Sequence, residues 1–261
     1  MLRIFKADLH IHTCLSPCAE LSMSPRAIVE AAGRQRLDVI AISDHNSCEN
    51  ALAVIRAAGE GGIKVLPGME VTSREEVHVL ALFEAIEAAL ALQDAVYAHL
   101  PGENDSQRLG LQVVVNEHHD VVGFNHRLLA GATELSVEQI ADLIHGLNGL
   151  AIASHIDREA FGIIGQLGFI PEGLAFDALE LSANTSREEA ARRFPEHAGA
   201  AFIHSSDAHR PEEIGRTFTP LLLREPTTAE VRKAFRREED RRILYREAAG
   251  CGARRQEGCC V

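Results

Sequence analysis

The stretch ADLHIHTCLSPCAE, residues 7–20, places two histidines, His10 and His12, at i and i+2 at the end of a short apolar run. Side chains alternate between faces along a strand, so both imidazoles point the same way. The arrangement repeats downstream. Asp44 and His45 follow DVIAIS, Glu70 ends KVLPGME, His78 lies early in VHVLALF, His155 follows LAIAS, and Asp207 and His209 follow AAFIH within SSDAH. Each alone reads equally well as a hydrogen-bonded structural histidine, a helix cap or a loop carboxylate. As a set converging on one place, these groups would repel or sit unsatisfied without compensation. Divalent cations supply that compensation. Imidazole and carboxylate together suit zinc, manganese or iron, and no thiolate belongs to the strand-end set. The expectation is a multinuclear metal site.

The elements that must position these residues are short β runs alternating with helical patterns. Strands are expected over 4–11, 38–43, 64–70, 77–83, 150–154, 178–181 and 201–204. Helices are expected from Pro25, with Ser24 as N-cap, to about 36, over 50–60 and over 84–100. A further helix starts at the Ser136/Gln139 capping box, another at Ser186/Glu189, and a last one runs from Thr227 to about 240. Gly61-Gly62 stop the second helix. Past Pro101, LQVVVN and VVGFNHRLL flank EHHD as a hairpin with a four-residue turn, in which His118 and His119 read as solvent-exposed. Residues 101–135 therefore read as an insertion in a barrel domain spanning 1–240, and 241–261 as a C-terminal tail. Repeated βα units predict a parallel sheet, and a barrel is the favoured closure. In such barrels the chemistry sits at the carboxyl ends of the strands, where these residues fall.

Composition bounds the function. The chain has 261 residues, a formal net charge of −12, and thirteen histidines against two tyrosines and no tryptophan. An acidic balance disfavours long nucleic acid as a partner, because nucleic-acid binding leaves a basic footprint. No run is long enough to span a membrane and no signal peptide is evident, so a cytoplasmic location is expected. Six cysteines in such a chain do not form a disulfide pattern. Cys14, Cys18 and Cys48 read as small buried residues. The three in the terminal CGARRQEGCC read as reactive thiols on a flexible end.

DLHIHT, ISDHN, PGMEV, HVLAL, ASHID and SSDAH, in that order, resemble the successive motifs of the PHP (polymerase and histidinol phosphatase) family, stand-alone phosphoesterase type, across the chain to about residue 220. The resemblance implies a distorted seven-stranded (βα) barrel, here with the hairpin-containing insertion, holding up to three divalent ions. By the same resemblance His10, His12, Glu70 and Asp207 would hold the first ion. Glu70 would bridge to a second, completed by His78 and His155, and His45 and His209 would hold a third. The third site needs a ligand from the loop after the first strand, where family members carry His or Asp. This chain has TCLSPCAE there, so Glu20 is the candidate and Cys18 its rival. Asp44 would act by orienting His45.

Three dications offset by Glu20, Glu70, Asp207 and a bridging hydroxide leave roughly two positive charges, suited to a phosphate dianion. The activity implied is hydrolysis of a small phosphate ester, a phosphomonoester or nucleotide, by metal-activated hydroxide, with His209 or a bound water protonating the leaving group. Arg158 reads either as a phosphate clamp or as a surface salt bridge. The rival readings are an exonuclease on short oligonucleotides and a non-catalytic metal- or phosphate-binding module. An amidohydrolase-type barrel also begins His-x-His, but it bridges its metals with a modified lysine rather than a glutamate.

Overall fold

The computed structural model describes residues 1–245. The chain lays down β1 (Arg3–Ile11), α1 (Pro25–Arg34), β2 (Val39–Ile42), α2 (Ala51–Ala58), β3 (Lys64–Thr72), β4 (His78–Leu82) and α3 (Ile86–Ala98). The insertion follows, with α4 (Ser106–Leu109) and the hairpin β5 (Val113–Val115) and β6 (Val121–Phe124). Then come α5 (Val137–Gly146), β7 (Leu150–Ala153), α6 (Ile163–Leu167), β8 (Ala178–Leu181), α7 (Arg187–Arg193), β9 (Phe202–His204), β10 (Thr219–Leu223), α8 (Thr228–Arg236) and β11 (Arg242–Ile243).

Among the described residues the main sheet has nine strands in the order β11-β10-β1-β2-β3-β4-β7-β8-β9. An isolated parallel bridge between Ile11, at the end of β1, and Ala208, in the loop after β9, brings these two strands together at one end. Seven strands, β1–β4 and β7–β9, thus form a nearly closed, distorted barrel, and β10 and β11 extend it beyond β1. The sheet is mixed rather than parallel. β4 runs antiparallel to both β3 and β7, and β10 antiparallel to β1. That reversal places His78, the first residue of β4, opposite Thr72 at the carboxyl end of β3. A histidine at the start of its strand thereby reaches the same mouth as residues at the ends of the others. The close pass of β3 over β4 requires Gly68, where a Cβ would collide with the Ala81 carbonyl oxygen.

Alternation divides the sheet into two faces. Ile40, Ile42, Met69, Val71, Val79, Ala81 and Leu179 pack under the helices. Phe5, Ala7, Leu9, Leu66, Leu80, Leu82, Leu150, Ile152, Ala178 and Ile203 fill the barrel interior, closed at its base by Val231, Ala234 and Phe235 of α8. Burying one such Leu or Ile side chain contributes about 1.5–3 kcal/mol, so the base of the barrel is a rigid support. β1 switches faces at a register shift between Asp8 and Ile11. Leu9 belongs to the interior cluster but Ile11 to the outer one. This bulge turns both His10 and His12 inward.

Helix starts follow the sequence. Ser136 and Gln139 form a full capping box, and the Ser186 and Thr227 hydroxyls accept from the Glu189 and Glu230 amides. The insertion hairpin forms as expected, with His118 and His119 exposed. It seats Val113 and Val115 against Cys14, on the loop that follows β1. β11 and Tyr245 carry the ordered fold past residue 240. The cysteines at 251, 259 and 260 lie outside the described residues. No helix among the described residues is long and apolar enough to cross a membrane.

Candidate metal centre

The inward positions change character towards the mouth. Below are leucines and isoleucines; above stand His10 from β1, Glu70 from β3, His78 from β4 and Glu180 from β8, all at most 7% exposed. Loops at the same end add His12, His45, His155, Asp207 and His209. His155 and Asp207 take left-handed backbone conformations, φ 26° and 51°, which are sparsely populated by such residues and mark local strain.

Glu70 lies at the centre. Its Oε1 is 3.0 Å from His78 Nδ1 and 3.4 Å from both His10 Nε2 and His155 Nε2. Its Oε2 is 3.2 Å from His45 Nδ1 and 3.6 Å from His12 Nε2. Asp207 Oδ1 faces the same pair of imidazoles, 3.3 Å from His10 Nε2 and 3.2 Å from His12 Nε2. His12 and His209 stack with ring centroids 4.3 Å apart, and His78 stacks on Phe161 at 4.4 Å.

The outer nitrogens of these rings are held elsewhere. His10 Nδ1 meets the Glu180 carboxylate at 3.0 and 3.2 Å. His12 Nδ1 donates to Ser16 Oγ at 3.0 Å, and that hydroxyl donates to Asp44 Oδ1 at 2.7 Å. His209 Nδ1 donates to the Asp207 carbonyl oxygen at 2.7 Å. His10 Nε2 and His12 Nε2 lie only 3.1 Å apart; burial opposes a charge on His10, but Glu180, Asp207 and Glu70 outweigh it and hold that imidazole well above its usual range, so a proton or another cation belongs between the two nitrogens. Two lone pairs at that distance repel unless a cation lies between or beside them. Among the described residues, His45 Nδ1, Glu70 Oε1, His78 Nδ1 and His155 Nδ1 are buried with no hydrogen-bond partner. Such orphans cost about 1–3 kcal/mol each. Three overlapping groups have donor atoms near enough to share an ion: His10–His12–Glu70, His45–Glu70–His78, and His12–Cys18–His45–His209. The donor set fits divalent metals on chemistry as well as spacing.

Electrostatics agree. Burial and the neighbouring His209 push His12 down to about 4, and burial with His12 holds His45 well below its usual range, so both imidazoles are neutral. Burial opposes the charge on Glu70, but His78 and His10 outweigh it and keep the carboxyl well below the usual carboxylate range. Burial and the Glu70 charge push the Cys18 thiol up to about 12 in the absence of an ion.

Three residues expected at the site behave differently. Glu20 does not join the cluster: it is exposed, and its Oε1 pairs with Arg210 Nε at 2.9 Å. Cys18, on the same turn and also exposed, is the residue whose donor atom comes within 4.8 Å of those of His12, His45 and His209. Asp44 does not orient His45. Its carboxylate, pushed up to about 6 by burial, accepts from the Thr13 amide and hydroxyl and from Ser16, so it acts on His12 through Ser16. Arg158, 44% exposed, reaches in to Asp207 Oδ2 at 2.7 Å. Two positioning residues went unread in the sequence. Glu180 is visible only as a carboxylate in phase with the apolar inward residue Ala178. Asp8 accepts from the Ser206 and Gly215 amides, both at 2.9 Å, and so pins the loop bearing Asp207 and His209. Beside the cluster opens a cleft of about 840 Å³, whose walls include Arg158, Arg193, Arg210 and Arg216.

The family model for the PHP domain matches residues 8–161, more than half of the chain. The chain belongs to the PHP family. A second model, PHP-associated, matches 186–239 of this PHP protein. An uncharacterized protein of Methanocaldococcus jannaschii, MJ1587, is 31% identical over 100 residues, covering 35% of this chain and 58% of its own. Among solved structures, the lesion-specific endonuclease PfuEndoQ of Pyrococcus furiosus superposes with a TM-score of 0.72 at 20% identity, over 92% of this chain and 58% of that one. A protein described as a metal-dependent phosphoesterase from Bifidobacterium adolescentis gives 0.56 at 17% identity, over 89% and 96%. The PHP chain therefore spans 58% of the length of MJ1587 and of PfuEndoQ. Endonuclease Q has also been solved with a 27-mer duplex carrying an abasic lesion at its active site, at a TM-score of 0.70 over 92% of this chain. This overturns the expectation that the acidic balance removes long nucleic acid as a partner. A net charge summed over the surface says little about the field at one mouth, where four arginines stand among four carboxylates.

Proposed function

We propose that this PHP protein is a metal-dependent phosphoesterase that hydrolyses a phosphate ester at the barrel mouth. The observation that carries the reading is the cluster of buried imidazole and carboxylate atoms without hydrogen-bond partners, opening onto an arginine-lined cleft. His10, His12, Glu70 and Asp207 would hold one ion, and Glu70, His78 and His155 a second. His45 and His209 are near enough to share a third, to which His12 is available only if its one free nitrogen, Nε2, is not taken by the first. Bound divalent ions would supply the Lewis acidity that makes water a nucleophile towards phosphorus at neutral pH.

The chain's own residues do the rest. Glu180, and Asp44 through Ser16, lock the tautomers of His10 and His12 so that both Nε2 lone pairs face inward. Asp8 fixes the loop that delivers Asp207 and His209. Arg158 would exchange Asp207 for the phosphoryl group, to two of whose oxygens its planar fork donates. Where no ion takes the third position, the half-buried His209 at the rim has Nε2 free to carry a proton to the leaving alkoxide; where one does, a water on that ion would supply it.

A cleft of about 840 Å³ lies in the range of pockets that enclose small ligands, which favours a phosphomonoester or nucleotide. The likeness to endonuclease Q over 92% of the chain favours a second reading, a phosphodiesterase on a nucleic-acid strand. The test is hydrolysis by metal-loaded protein of a panel of phosphomonoesters, nucleoside bisphosphates, short oligonucleotides and duplexes with an abasic site. Turnover of any of them, lost on chelation, supports phosphoester hydrolysis, and the preferred one decides between the readings. Full metal loading with no turnover of any would refute it.

A further inference from the structure

We infer that the third ion of this centre is held by a thiolate, that of Cys18, so that this position selects a borderline or soft divalent metal such as zinc, ferrous iron or cobalt. The inference rests on the metal-centre part of the proposed function and not on the choice of substrate.

Donor atoms of His12, Cys18, His45 and His209 all lie within 4.8 Å of one another. Ligands around a tetrahedral zinc, with bonds of about 2.0 Å to nitrogen and 2.3 Å to sulfur, sit roughly 3.3–3.6 Å apart, so a small closure brings Cys18, His45 and His209 onto one ion, with water in the fourth place wherever His12 Nε2 serves the first ion. The position of Cys18 is built rather than incidental. The turn that bears it is closed by Ser16 N to the Thr13 carbonyl oxygen at 3.1 Å, Ala19 N to that of Ser16 at 3.0 Å and Met23 N to that of Glu20 at 2.9 Å. It is tied across to the opposite loop by Glu20 N donating to the His209 carbonyl oxygen at 3.0 Å. Ser16, inside the same turn, binds His12 Nδ1 and the His45 amide. One loop thus sets three of the four ligands, and its far anchor is the fourth.

The alternatives on that loop are accounted for. Glu20 turns outward to Arg210. Cys14 faces the Val113 carbonyl oxygen and Asn50, away from the cluster. The other two ligand groups contain a carboxylate, Glu70, while this one contains none, so the thiolate is its anionic member. Thiolate ligation disfavours manganese and magnesium, whose sites are built of oxygen, and favours the softer ions.

The test is cobalt(II) loading of the full chain, read by absorption spectroscopy and by metal counted per chain. A sulfur-to-cobalt charge-transfer band in the near ultraviolet is expected in the parent protein. Cys18→Ser should abolish the band and remove one equivalent of metal. Cys18→Asp should restore the equivalent without the band, which separates lost ligation from misfolding, and Glu20→Gln should keep both. Cobalt bound with no such band, a band that survives in Cys18→Ser, or an equivalent lost in Glu20→Gln would each overturn the inference while leaving the rest of the centre intact. Binding of no cobalt at all would overturn this inference and the metal-centre reading together.

Discussion

Two buried charged regions of this molecule are built on opposite rules. Near the base of the sheet, Arg241 and Glu230 form a forked pair, Nε to Oε2 and Nη2 to Oε1 at 2.9 Å each. The Arg224 amide takes a further lone pair of Glu230, and Glu239 a further donor of Arg241. Every charge there is answered within the chain. At the mouth, Glu70 and Asp207 face six imidazoles, and several of the nearest atoms have no hydrogen-bond partner. The same chain satisfies a buried ion pair fully where the role is structural. Its failure to do so around Glu70 is what the proposed ions would account for. The comparison also separates ligands from their supports, because Glu180, Asp44 and Asp8 are as well satisfied as Glu230.

The comparison can be broken at the ligands first. Glu70→Gln removes the carboxylate shared by all the flanking imidazoles. It should cost metal affinity and turnover more than the roughly 100-fold typical of an outer-shell change, measured by competition with a chelator and by initial rates. Glu180→Gln tests the supports. It weakens the hold on the His10 tautomer and should lower metal affinity by about 10–100-fold without removing a ligand. Arg158→Ala should raise KM by about tenfold with a smaller change in kcat, since it removes a charged hydrogen bond to substrate and leaves the centre in place. Chelation should lower stability by about 3 kcal/mol relative to protein in an ion at a hundred times its dissociation constant, read from urea midpoints. Arg241→Met belongs at the end of the series. It strands Glu230 and should lower the melting temperature by several degrees, with metal content unchanged. A loss of metal in that variant would show the two regions to be less separate than their hydrogen bonding implies.

What could be read without coordinates follows the physics of each element. His10 and His12 declare a shared face through strand alternation, and the repeated placement of His, Asp or Glu after apolar runs marks the mouth. The capping pairs at Ser136, Ser186 and Thr227 mark helix starts, because the side chain and the amide it answers are near neighbours in sequence. Strand direction is another matter. VHVLALF reads identically whether parallel or antiparallel, so the reversal of β4 that brings His78 to the mouth leaves no local trace. TPLLL and the two residues of β11 are too short, and the former is interrupted by Pro220, to announce strands. Glu180 escapes because one carboxylate in a four-residue run looks like a solvent-facing position. The choice between Glu20 and Cys18 depends on the hydrogen bonds of one turn, and composition carries no record of those.

The central claim is that the partnerless imidazoles and carboxylates at the mouth are ligands of resident divalent ions. The most direct measurement is metal content by mass spectrometry of protein purified without added metal, counted per chain, for the parent and for His10→Ala and Asp207→Ala. The account predicts two or three equivalents of zinc, manganese or iron in the parent and a clear loss in both variants. A parent protein that carries no metal, takes up none on dialysis against these ions, and still hydrolyses phosphate esters would contradict it.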